Sequence, residues 1–106
     1  MTDPEALREL ERELDRVVDR LNSMSLARAE GSAADCRRAA LVIVEQTRAL
    51  TDQIPVDATV PGLGPHGLGA MLAVLGADYL ATVRRAPNAD VSVVTAALVD
   101  LRRALP

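Results

Sequence analysis

A chain of 106 residues, 49% apolar and with a formal charge of −3, has the composition of one folded domain, too short for two cores and too apolar for a disordered tail. All 12 basic residues are Arg, which removes lysine Schiff-base chemistry and the lysine-dependent phosphate loop, and the net acidity argues against nucleic-acid wrapping. One Cys (Cys36) and one His (His66) cannot make an internal disulfide or a multi-thiolate or multi-histidine metal centre, and no cofactor is expected.

The first predicted helix opens at Asp3-Pro4, where Asp caps free amides and Pro suits the first helical position. Leu7, Leu10, Leu14, Val17, Leu21 and Met24 recur at three- and four-residue steps, the spacing of a buried seam. Gly31 is the expected stop, placing the helix end near Ala29. Arg8, Arg12, Arg16 and Arg20 form a row flanked by Glu5, Glu9 and Glu13 on one side and Glu11, Asp15 and Asp19 on the other. Such pairs contribute only about 0.2–0.5 kcal/mol each, so this reads as a solvated face.

Ser32 or Asp35 is the expected cap of a second helix running to about Gln53, with a seam at Cys36, Ala40, Ile43, Thr47, Leu50 and Ile54. Cys36 on that seam reads as a small buried hydrophobe rather than a reactive thiol. Between Ile54 and Gly69, Pro55, Pro61, Pro65 and four glycines interrupt the helical pattern. The favoured reading of this link is a cover over one end of the core through Val56, Val60 and Leu63.

A third helix is predicted from His66 or Gly67 to about Arg85, with Leu68, Leu72, Leu75, Tyr79 and Val83 inward. Gly69, Ala73, Ala77 and Ala81 form a row of small residues, with Gly76 beside it, suited to close helix approach. Asp78, Thr82 and Arg85 make a polar strip that Met71 and Val74 continue as apolar surface. Asn88 or Asp90 caps the fourth helix, with a seam at Val91, Val94, Leu98, Leu101 and Leu105; Arg102 and Arg103 in its last turn suit the helix dipole. The expected architecture is all-α: a single domain over residues 1–106, an up-down four-helix bundle with a long Pro/Gly-rich link between helices 2 and 3.

The run from Gly67 to Val83 falls short of the roughly 20 residues of a membrane span and carries Asp78, so no membrane role is expected. The N-terminus lacks a signal-peptide pattern, which makes the cytoplasm the default location.

In an up-down bundle, the end where helices 1 and 3 finish would gather Arg28, Arg37, Arg38, Arg84 and Arg85. With two helix N-termini there, Arg37, Arg38, Arg84 and Arg85 form a candidate site for an anion or an acidic partner. His66-Gly67-Leu68 and Leu75-Gly76-Ala77 resemble part of the histidine phosphotransfer motif, which is also carried on a four-helix bundle. The resemblance covers about a dozen residues and departs from the motif at Gly69, where Lys is usual, and at Pro65, which puts His66 at a helix start. The chain is therefore assigned to no family, and His66, Asp78, Tyr79 and Cys36 form no catalytic constellation.

The favoured functional reading is a non-enzymatic bundle acting through association, as a homo-oligomer (a dimer) or with a partner protein. Its expected surface is Leu41, Met71 and Val74. The alternative is an anion-binding regulatory module using the arginine end.

Overall fold

Four helices, Pro4–Ser23 (α1), Leu26–Leu50 (α2), Leu68–Arg85 (α3) and Ser92–Ala104 (α4), make up the computed structural model. It describes residues 3–50, 67–86 and 89–106. The roles expected of Gln53, Ile54, Val56, Val60, Leu63, His66 and Asn88 concern residues outside that range.

α1 begins as its sequence requires, with the Asp3 carboxylate accepting the Glu5 amide at 3.0 Å and Pro4 in the first turn. It ends at Ser23, well before Ala29. The Ser23 hydroxyl donates to the Arg20 carbonyl at 2.9 Å, and the Met24 amide turns back to Leu21. α2 starts at once, since the Ser25 carbonyl accepts the Ala29 amide at 3.0 Å and its hydroxyl faces the Arg28 amide at 3.4 Å. The polar run Asn22-Ser23-Met24-Ser25 thus makes the turn, and Gly31 is carried inside α2 on an exposed face. Ser32, expected as a cap, is a buried mid-helix residue whose hydroxyl donates to the Arg28 carbonyl. At α4 the Asp90 carboxylate accepts the Ser92 amide at 2.9 Å, which holds its pKa below the usual carboxylate range.

The seams are the core. Leu10, Leu14, Val17 and Leu21 of α1, Cys36, Ala40 and Ile43 of α2, Leu68, Leu72, Tyr79 and Val83 of α3, and Val94, Leu98 and Leu101 of α4 are all buried. Aliphatic side chains and a single tyrosine therefore fill the interior.

Helix directions follow from cross-helix neighbours. A methyl group at Gly69 would overlap Asn22, one at Gly76 would overlap Leu14, and Arg84 pairs with Glu11 at 3.0 Å, so α3 is antiparallel to α1. Arg102 pairs with Glu13 at 2.7 Å and Arg20 donates to the Pro106 carbonyl oxygen, so α4 is parallel to α1. α2 leaves the end of α1, and its middle (Asp35, Arg38, Ala39, Val42) borders α4 (Ala97, Leu101, Ala104); it runs back antiparallel to both. The bundle is thus ordered up-down-down-up, with α2 and α3 parallel. α1 packs on α3 and α4, α2 packs on the same two, and the pairs α1–α2 and α3–α4 are diagonal. Strict alternation of all four helices is therefore not the arrangement found.

The small-residue row behaves differently from its expected role. A four-residue step advances a helix by 400°, so the row Gly69, Ala73, Ala77, Ala81 drifts outward: Gly69 is buried, Ala73 half-buried, Ala77 and Ala81 exposed. Close approach to α1 falls instead to Gly69 and Gly76. Nothing lies within 4 Å of a methyl group placed on Gly31. Gly31→Ala is therefore expected to raise stability by about 0.5–1 kcal/mol, and Gly76→Ala to lower it by about 1–3 kcal/mol, in denaturant unfolding.

Glu13 corrects the view of α1 as uniformly solvated on its charged side. It is only 6% exposed, and its carboxylate accepts Arg102 Nε at 2.7 Å and Nη2 at 3.4 Å, with Arg16 Nη1 at 3.4 Å. Arg102 thus serves a buried acid on the neighbouring helix rather than its own helix dipole alone. Removing Arg102 leaves that acid with one long contact. Arg102→Ala is expected to cost about 2 kcal/mol, and Glu13→Leu combined with Arg102→Leu to recover most of it, by the same measurement.

Candidate interaction surface

The arginine set does not come together. Because α3 runs parallel to α2, Arg84 and Arg85 finish at the end where α1 and α4 begin, while Arg28 lies at the opposite end, in the first turn of α2, and Arg37 and Arg38 lie at the middle of α2. Arg84 is engaged by Glu11 at 3.0 Å and Arg38 by Asp35 at 3.2 Å. The expected four-arginine site rested on α1 and α3 ending together, and their antiparallel packing divides it.

Of the three residues expected on an association surface, Leu41 is 50% exposed and Val74 61% exposed, whereas Met71 is 2% exposed. Met71 joins the core. On the helical wheel it lies on the flank of α3 that carries Leu75 and Thr82, turned toward α2, and only the outer part of the strip (Val74, Asp78, Arg85) reaches solvent. The Thr82 hydroxyl donates to the Asp78 carbonyl at 2.9 Å, and the Asp78 carboxylate forms no ion pair among the described residues.

The outer faces of α2 and α3 are built alike. On α2, Ala34, Arg37, Leu41 and Glu45 follow at three- and four-residue steps and all are exposed. On α3, Ala70, Val74, Ala77 and Ala81 do the same. α4 borders α2 on the Asp35, Ala39 and Val42 side, which leaves the Leu41 row leaning toward α3. α1 covers α3 on the Gly69 and Gly76 side, so Val74 leans toward α2. Leu41 and Val74 therefore share one outward face of the α2–α3 layer, with Arg37 and Glu45 on the Leu41 row and Asp78 and Arg85 beside Val74.

The remaining chemistry-bearing groups are isolated. Cys36 is fully buried, and burial, helped by the neighbouring Asp35 charge, pushes its thiol from the ordinary 9.0 up to about 11. Tyr79 is 1% exposed and its hydroxyl has no hydrogen-bond partner among the described residues; burial, with a smaller contribution from Asp90, raises its pKa. An open groove between α1 and α4 presents Asp3, Glu9, Asp90 and Asp100 against Arg103, and two of these acids, Asp3 and Asp90, already accept backbone amides at helix starts. No group of three or more His, Cys, Asp or Glu able to hold a metal occurs among the described residues, and none of the helices is long and apolar enough to cross a membrane.

Comparison with known protein families, with curated proteins and with solved structures gave no significant match.

The buried thiol has a measurable consequence. An acid whose pKa is raised by folding stays neutral in the native state while the unfolded chain ionises, so stability declines as pH rises through the unfolded value toward the folded one. The free energy of unfolding is expected to fall between about pH 9 and 11, and Cys36→Ala to reduce that fall. In the native protein at neutral pH, Cys36 should react with a thiol reagent only as fast as the fold opens.

Proposed function

We propose that this chain is a non-enzymatic helical-bundle protein that acts by association, with itself or with a partner protein, through the outward face of α2 and α3. The observation that carries the reading is the exposure of Leu41 and Val74 on the outer faces of adjoining helices; Leu26 at the start of α2 and Val93 on α4 are the other exposed large aliphatic residues among the described ones. Large side chains on neighbouring outer faces favour a covered state, since removing apolar surface from water contributes about 25 cal/mol per Å². A cytoplasmic setting belongs to the same reading, supported by a single buried thiol in place of a disulfide framework. The separation of the arginines leaves the anion-binding alternative without a shared site.

Light scattering coupled to size-exclusion chromatography over a wide concentration range tests the proposal. Leu41→Glu and Val74→Glu are expected to abolish association while leaving helix content and unfolding midpoint close to the parent. Met71→Glu should instead unfold the protein, because it puts an unpaired charge in the core. Association that survives both Leu41→Glu and Val74→Glu would move the interface away from α2–α3.

A further inference from the structure

Leu41 sits midway between two opposite charges on one helical row. Arg37 lies four residues before it and Glu45 four residues after it; both are exposed, and neither forms an ion pair within the chain among the described residues. This order, basic–apolar–acidic about a central Leu, is self-complementary when read against its own reverse. A second α2 laid antiparallel on the first with Leu41 on Leu41 brings Arg37 of each copy opposite Glu45 of the other. In a parallel pairing in the same register, Arg37 would face Arg37 and Glu45 would face Glu45.

We propose, resting on the association reading above, that the occupant of the α2–α3 face is a second copy of this chain, related by a two-fold axis that passes beside Leu41 perpendicular to α2. An isologous interface has this property: residue i meets j and j meets i, so one favourable pair is made twice. The same axis lays α3 antiparallel on the second α3; Gly69 beside Asn22, Gly76 beside Leu14 and Arg84 beside Glu11 put Val74 nearer the start of α2, so the contact centres on Leu41 and meets α3 at its last turns. Apolar residues supply the contact and the Arg37–Glu45 pairs select its direction, as charges flanking an apolar stripe do in paired helices.

Sedimentation equilibrium on the full chain, with circular dichroism to confirm the fold, tests this through a charge exchange. Arg37→Glu and Glu45→Arg, each of which puts like charges opposite one another at two places, are expected to raise the dimer dissociation constant roughly tenfold. The double variant, Arg37→Glu with Glu45→Arg, restores both pairs in reversed sense and is expected to return to within about threefold of the parent. A dimer indifferent to either single exchange, or a double variant no tighter than the singles, would overturn the two-fold arrangement and leave self-association standing on another register. A parent chain that stays monomeric to millimolar concentration, with Leu41→Glu and Val74→Glu equally monomeric, would overturn the second copy as occupant; loss of the wider association reading would then need the α2–α3 face to capture no partner either.

Discussion

The side chain of Leu14 fills the space over Gly76 that a methyl group would take, and this contact sets how α1 and α3 lie against each other. Because Leu14 belongs to the α1 seam, the position of Gly76 fixes which part of α3 faces that seam, and the antiparallel direction carries Arg84 to Glu11. Once α3 covers one flank of α1, α4 takes the other, and α2 closes the bundle on the far side of both. The glycine earlier in the same helix, Gly69, lets the start of α3 settle beside Asn22 in the same way. Two missing side chains thus determine the depth of one helix pair, and the rest of the packing is built around that pair.

Polar groups enter this interior sparingly, and each has a distinct consequence. Glu13 is held against α1 and α4 together by Arg102 and Arg16, so it fixes the sliding position of two parallel helices that aliphatic packing alone would specify weakly. Thr47 satisfies its buried hydroxyl on the Ile43 carbonyl at 2.7 Å, within its own helix, and so makes no demand on its neighbours. Tyr79 does neither: its ring, the only Phe, Trp or Tyr ring in the chain, fills the core, and its hydroxyl has no partner among the described residues.

The apolar seams could be read residue by residue because three- and four-residue spacing is a property of a helix by itself. Features set by pairs of distant residues could not. The boundary between the first two helices was hidden because Gly31 is a strong stop signal only where the chain needs to leave the helix; Ser25 had already supplied the break. Glu13 looked solvated beside Arg12 and Arg16, and its principal partner, Arg102, belongs to another helix. Met71 resembled surface because its row continues a polar strip, and only the presence of α2 on that flank brings it inside. Leu41 and Val74 were legible as surface from the same wheel, whereas the arginine cluster required a knowledge of helix direction that a link of permissive length withholds.

The diagonal placement of α1 against α2 and of α3 against α4 bears on how the chain finds this arrangement. In a bundle of successive hairpins, each helix can dock on the one just made, and local contacts make folding fast. Here α1 finds its packing surfaces on α3 and α4, so every large interface joins segments far apart in sequence. Such a topology has a high contact order for an all-α protein and a correspondingly slower search than hairpin-built bundles of its size. During synthesis the first fifty residues emerge as two helices with little to hold on to each other, and their seams stay open until the second half of the chain arrives. Assembly is consequently cooperative from end to end, and neither half is expected to be a stable unit without the other.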